Sequence, residues 1–253
     1  MGLPIGRHLR AAGTEVIVFD PSTSARDALV ALGATAADSV ADVAAQCDIM
    51  LVVVVDDEQV REAVSVCVDA AEPETIVAIC ASVRPDTCRE LAALGRERGI
   101  HVVDTAMVGG ERGAEAGELV LFCGGPEEVV DRLRPVLAPF SSAVVRVGDV
   151  GAGQVAKTAN NILLWACIRA DAEVLRLGRA LGVAPSTLRK ALVHGSGANR
   201  PLAEWGEHRL RWPKKDLEVA LAVAAEADVE VPLVEQLPRL MDELTVDDLR
   251  ELL

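Results

Sequence analysis

Three observations predict an α/β chain in which a mostly parallel sheet, covered on both faces, is followed by an all-helical part. From residue 15 to about 147, short β-branched runs alternate with stretches whose apolar residues recur at spacings of three and four. Strand signals stop after Gly148. Residues 152–181 then read as one uninterrupted helix, roughly 45 Å long at about 1.5 Å per residue, with Gly182 as its C-terminal cap.

In chain order, the expected strands are Glu15–Asp20, Ile49–Val55, Thr75–Cys80, Ile100–Asp104, Glu118–Phe122 and Ala143–Val147, with helices between them near 24–32, 57–70, 85–98 and 126–138. Leu51-Val-Val-Val-Val55 is apolar on both faces, which fits an inner strand. Beyond the long helix, helical patterns recur at 185–194, 215–228 and 231–243. The domain boundary is expected near residue 148, giving domains 1–147 and 148–253; no flexible Gly/Ser linker separates them, so the long helix itself is expected to join the two.

Composition narrows the function. Of the 253 residues 51% are apolar, mostly Ala, Val and Leu, with three Phe, three Trp and no Tyr, so the core should be aliphatic. A net charge of −14 argues against a nucleic-acid or anionic-membrane surface, because neutralising phosphates takes basic patches. No apolar run reaches bilayer length and the N-terminus lacks a signal-peptide stretch, so a cytoplasmic location is expected. The six cysteines (47, 67, 80, 88, 123, 167) show neither Cys-x-x-Cys nor a nearby His at ligand spacing. They are expected to be buried free thiols, with no metal site.

Only four lysines stand beside 21 arginines, and one of them, Lys157, lies where a glycine-rich turn, Gly148-Asp-Val-Gly-Ala-Gly, runs into the long helix. Arg is always charged, whereas a buried Lys can lose its proton near neutral pH, so an ammonium retained here suits proton transfer. Asn160 and Asn161 follow three and four residues on, placing both amides beside the amine on a helix. A lysine snorkelling from a helix start is the plain alternative.

The opening Met1-Gly-Leu-Pro-Ile-Gly6 enters a helix, and Val16-Ile-Val-Phe-Asp20 ends a strand on an acid. A Rossmann unit has a strand and a Gly-x-Gly-x-x-Gly turn before such a helix and an acidic residue closing its second strand. Gly2 can be the last glycine of that turn, and Asp20 can hold a ribose, although an Asp after a β-branched run is commonplace. Pro21 leaves no adjacent Arg for a 2′-phosphate, which favours NAD over NADP.

Asp104-Thr-Ala-Met-Val-Gly-Gly110 with Gly113, Ala114 and Gly117, then Cys123-Gly-Gly125, the Gly151–Asn161 segment and Lys215-Asp-Leu217 resemble, in order and spacing along nearly the whole chain, the signature stretches of the β-hydroxyacid dehydrogenases. That group contains 3-hydroxyisobutyrate dehydrogenase and is related to 6-phosphogluconate dehydrogenase. The resemblance implies a hydride-transfer enzyme using NAD or NADP on a small β-hydroxy acid or the corresponding carbonyl, with Lys157 as general acid/base and Asn161 positioning it and the substrate. Val108, Gly109, Gly110 and Asn160 would contact the substrate, the two glycines through backbone N–H groups. Gly2, Leu3, Asp20, Val54, Val55, Ser82 and Lys215 would contact the cofactor. Ser82, before Val-Arg-Pro85, is equally placed to be a helix N-cap. A homodimer is implied as well. An imine or other carbonyl reductase on the same scaffold is a second reading, disfavoured by Lys157, and a non-catalytic dinucleotide-binding or interaction protein is a third.

Two departures stand out. The family has a serine where this chain has Val108, so a hydroxyl donor to the substrate carboxylate is lost. The interval from Gly197 to Lys215 is shorter than is usual in the family and holds Trp205 and Trp212, which are expected to pack between helices. A third feature is the first Rossmann strand and phosphate turn, which the sequence does not contain. In the order 3-2-1-4-5-6 that strand is central, and its absence leaves a gap with unpaired backbone on both neighbours. The expectation is that Met1 is internal to a longer protein carrying about ten further residues, the length of a short strand plus its turn. Intact mass spectrometry of the native protein should give a mass above that of the chain from Met1; a mass matching Met1 as the first residue would refute it.

Overall fold

The computed structural model describes residues 1–253 and divides into two compact units, Met1–Lys157 and Thr158–Leu253. The first unit runs α1 (Gly2–Ala11), β1 (Ile17–Val18), α2 (Thr23–Val30), β2 (Thr35–Ala36), α3 (Val40–Ala44), β3 (Ile49–Val52), α4 (Asp57–Ala70), β4 (Ile76–Ile79), α5 (Pro85–Glu97), β5 (His101–Val108), α6 (Gly110–Ala116), β6 (Leu119–Gly124), α7 (Glu127–Leu137) and β7 (Ser141–Gly148). Helix α8 (Ala152–Ala180) begins in the first unit and continues into the second, which adds α9 (Pro185–Leu192), α10 (Arg200–Ala203), α11 (Pro213–Glu226), α12 (Pro232–Asp242) and α13 (Val246–Arg250). This is the expected fold class, a mostly parallel Rossmann-like sheet domain and a helical C-terminal part.

All four residues of β4 are buried, and they divide by parity as side chains on a pleated strand must. Val77 and Ile79 join Met50, Val52, Val60, Val64, Cys88 and Leu91 under α4 and α5, while Ile76 and Ala78 join Ile5, Leu9, Leu121, Val130 and Leu133 under α1 and α7. The sheet is thus covered on both faces by aliphatic side chains.

The order β3-β4-β5-β6-β7 is parallel except that β6 runs antiparallel to β5. Only the short stretch containing α6 links these two strands, too little for the crossover a parallel pair needs. β1 and β2 pair in parallel with each other alone, as a separate two-stranded sheet. β3 therefore has one hydrogen-bonded neighbour and ends its sheet; its apolar run reads as an inner strand, and the break between β1 and β3 is the gap expected from the sequence. The apolar run outlasts the strand: Val54 and Val55 lie beyond it, and Val55 is 66% exposed. Helices α3, α6, α10 and α13 and strand β2 are too short for periodicity to reveal.

In the second unit, Trp165, Ile168, Leu175, Leu202, Leu217, Leu237 and Met241 form one core. Trp205 packs as expected and donates its indole N–H to Leu249 O at 3.1 Å, whereas Trp212 is 62% exposed and does not. Gly182, at φ 84°, ends α8, and Val183 N–H bonds back to Gly178 O at 2.9 Å. No helix is long and apolar enough to cross a membrane.

All six cysteines are free; Cys67, Cys80, Cys88 and Cys123 are buried and Cys47 and Cys167 half-buried, so burial is incomplete where the sequence led us to expect it throughout. Burial pushes the thiols of Cys67 and Cys80 up to about 11 and that of Cys123 up to about 12. Since the thiolate is the reactive species, iodoacetamide at pH 8 should label Cys47 in the folded protein and all six cysteines after unfolding. Peptide mapping reads the result, and labelling of folded Cys80 or Cys123 would contradict it.

Candidate active site

The register of the sheet puts several expected site residues at one edge. Val52, Ile79 and Asp104 are successive partners across β3, β4 and β5, and Asp104 pairs onward with Gly124 of β6, itself paired with Gly148 at the end of β7. The carboxyl ends of β3 and β4 are therefore level with the end of β7, from which the chain turns into α8. Val54, Val55 and Ser82 follow the ends of β3 and β4, and β5 extends past them to Val108. Ligands of open α/β sheets bind beyond the carboxyl ends of strands.

Asp104 is fully buried beneath the start of α8. One carboxylate oxygen accepts from Gly151 N–H at 2.6 Å and the other from Gln154 N–H at 2.9 Å. These amides come from the opening turn of a helix, whose first N–H groups have no intrahelical acceptor. The approach requires glycine at two places: a Cβ on Gly124 would meet Asp104 Oδ1, and one on Gly153 would meet Asp104 Oδ2 and the Phe122 carbonyl. Burial pushes the Asp104 carboxyl up to about 6, with the amides of Gly151, Gln154 and Gly153 acting in the opposite direction. Both oxygens face N–H donors, the arrangement that suits an ionised carboxyl.

Gln154, 1% exposed, extends the contact to the segment after β4. Its Oε1 accepts from Val83 N–H at 3.2 Å and its Nε2 donates to Ala81 O at 2.8 Å. Ser82 is thereby held at the surface between two buried, anchored residues. It is not the cap of α5: Arg84 occupies the N-cap position and Pro85 opens the helix.

Lys157 lies half-buried in the second turn of α8. Asn161, on the same helix, is buried, and half-buried Asn160 donates from Nδ2 to Asn161 Oδ1 at 3.3 Å. Half-buried Val108 ends β5 opposite Val120. Gly109 and Gly110 follow at φ 115° and 60°, left-handed values that favour glycine, and both are exposed. Lys215 is exposed in the first turn of α11. Its two neighbours hold that helix to α8: Asp216 Oδ2 accepts from the Trp165 indole N–H at 3.1 Å, and Leu217 is fully buried.

Three of the residues expected at the cofactor, Gly2, Leu3 and Asp20, lie in the first unit. Half-buried Asp20 follows β1 with one oxygen accepting from Ser22 N–H at 2.8 Å, and a carboxylate there suits ribose hydroxyls. Gly2 and Leu3 open α1, no acidic side chain lies in that first turn, and a Cβ on Gly2 would meet nothing within 4 Å. An anion is favoured at such a helix start.

The roles of Asp104 and Gln154 were not legible in the sequence. Asp104 was visible only as the first residue of a motif, and Gln154 as a filler between glycine and lysine. Each finds its partners dozens of residues away, and the sole local signal was a Gly-x-Gly pair without an ordinary N-cap side chain.

Residues 1–148 match the model of the NAD binding domain of 6-phosphogluconate dehydrogenase, and residues 151–251 match that described as NAD-binding of NADP-dependent 3-hydroxyisobutyrate dehydrogenase. The chain is 34% identical over 223 residues to the NAD-dependent L-serine dehydrogenase of Pseudomonas aeruginosa, covering 84% of this chain and 71% of that protein. It is 32% identical over 256 residues to the 3-hydroxyisobutyrate dehydrogenase of the same organism, covering 92% and 85%. Among solved structures, the 3-hydroxyisobutyrate dehydrogenase of Mycobacterium tuberculosis with L-serine superposes with a TM-score of 0.91 at 26% identity, covering 100% of this chain and 95% of that one. The chain accordingly belongs to the β-hydroxyacid dehydrogenase family and is an NAD(P)-dependent oxidoreductase of the 3-hydroxyisobutyrate dehydrogenase type.

Proposed function

We propose that this chain oxidises a small β-hydroxy acid to the corresponding carbonyl, with Lys157 as the general base and, in the reverse direction, the general acid. The observation that carries the proposal is the anchoring of the lysine-bearing helix against the Ser82 segment, at the carboxyl edge of the sheet. Bound nicotinamide would supply the hydride acceptor. The hydroxyl proton passes to Lys157 Nζ as the C–H hydride departs, and the nitrogen later releases that proton to solvent. Asn161 holds the amine and the substrate hydroxyl in line, with Asn160 hydrogen-bonded to it.

The substrate carboxylate would be received by the backbone N–H groups of Gly109 and Gly110, where glycine lets a ligand reach the main chain. Val108 offers no hydroxyl, so its isopropyl group meets the apolar part of the substrate. That L-serine and 3-hydroxyisobutyrate appear in the names of the relatives supports a three-carbon core bearing a β-hydroxyl. Asp20 would hold the adenosine ribose, which favours NAD over NADP, with Gly2 and Leu3 at the pyrophosphate and Val54, Val55, Ser82 and Lys215 against the remainder.

A homodimer and a cytoplasmic location complete the proposal. Leu163, Val174, Leu177 and Leu181 of α8 are 65%, 42%, 60% and 74% exposed, a run of apolar side chains that a second copy would cover. Leu177→Glu combined with Leu181→Glu should shift sedimentation-equilibrium mass from two copies to one; an unchanged mass would set this face aside.

A panel of hydroxy acids, L-serine and 3-hydroxyisobutyrate among them, assayed with NAD+ and NADP+ tests the activity. Lys157→Met should lower kcat by a factor of at least about 100, within the usual range for a general base, and leave NAD+ affinity within threefold. Near-wild-type kcat in that variant would exclude the assigned role.

A further inference from the structure

We propose that Asp104 and Gln154 are positioning residues that set the distance between the lysine-bearing turn of α8 and the Ser82 segment; this rests on the acid/base role given above to Lys157. Neither side chain is placed to reach a reacting atom, since Asp104 is fully buried and Gln154 is 1% exposed. Each is hydrogen-bonded to the backbone of another element.

Asp104 comes from β5 and takes the amides of Gly151 and Gln154. Gln154 comes from α8 and holds the backbone on either side of Ser82, at Ala81 O and Val83 N. The two side chains thus form a continuous polar link from the strand, through the helix start, to the segment after β4. Lys157 is three residues beyond Gln154 on the same helix, so the link fixes the base of its side chain relative to Ser82.

The chemistry gives this link its importance. Proton and hydride must leave a single carbinol group together, and a displacement of about 1 Å in a reacting group can lower turnover by about 100-fold. A lysine has four rotatable side-chain bonds and cannot set its own height. A carboxylate is suited to the anchoring role because both oxygens accept, whereas the amide of an Asn would turn its NH2 towards one of the two N–H donors. Gly124 and Gly153 leave no room for a longer acid.

The test uses Asp104→Asn and Gln154→Met in the full chain, with amide hydrogen exchange read at Val83 and at Gly151–Val155. Kinetics use NAD+ with L-serine and with 3-hydroxyisobutyrate. Gln154→Met should speed exchange at Val83 by about tenfold or more, and Asp104→Asn should speed it both at Gly151–Val155 and at Val83. Both variants should lose about 10- to 100-fold in kcat, keep KM for NAD+ within threefold, and show a larger primary deuterium isotope effect as hydride transfer becomes limiting. If Asp104→Asn frees the helix start while Val83 stays as protected as in the wild type, the link does not exist. If exchange rises in Gln154→Met, which keeps the Asp104 anchor and provides the second variant should Asp104→Asn fold poorly, yet kcat is unchanged, positioning is overturned. Failure of the lysine assignment is separable: Lys157→Met would then retain turnover while the exchange pattern of the other two variants stood.

Discussion

An ionised carboxylate sealed inside a sheet is costly unless hydrogen-bond donors surround it, and the opening turn of α8 surrounds Asp104 with them. The helix contributes twice, through N–H groups that would otherwise lack acceptors and through the positive end of its dipole. Burial and backbone amides pull the carboxyl in opposite directions, burial raising it and the amides lowering it. The rest of the first unit accommodates this contact: Gly124 and Gly153 give up side chains for it, and β7 ends level with it. A 29-residue helix that passes from one unit into the next begins at that point.

That anchor also fixes its neighbours in the sequence. Gln154 holds the backbone around Ser82, and Lys157 comes one turn later. Val54, Val55 and Ser82 occupy the loops after β3 and β4, where short parallel strands release the chain. The aliphatic core beneath them offers few aromatic anchors. Alternating residues of β4 fill both layers, and the second unit closes around Trp165 and Trp205, each with its indole N–H bonded. The late Lys-Asp-Leu motif is correspondingly divided in its work. Asp216 and Leu217 secure α11 to α8, which leaves Lys215 on the surface.

The differences between sequence expectation and structure have local causes. A stretch of five apolar residues reads as an inner strand, but edge or centre is decided by what pairs alongside, and at the gap expected from the sequence β3 has only β4. β6 reverses direction because the stretch linking it to β5 holds a helix of only seven residues. Ser82 carries the chemistry of an N-cap, yet Pro85 sets the helix start and moves the cap to Arg84. Trp212 was expected to be packed because large aromatics usually are, while its neighbours in the sequence are charged and the ring stays outside.

Sequence alone determined the fold class, the long helix with its glycine end, the order of the family's signature stretches and the choice of Lys157 over the prevailing arginine. These are legible because hydrophobic period, backbone permissiveness and proton chemistry belong to a residue and its near neighbours. Tertiary structure alone decided that Asp104 caps a helix 47 residues away and that Gln154 spans 71 residues to the Ser82 segment. It also decided that two glycines exist to let a helix start approach a buried carboxylate. A hydrogen bond across such separations leaves no periodic trace, because its geometry is set by strand register and by the packing of one element on another.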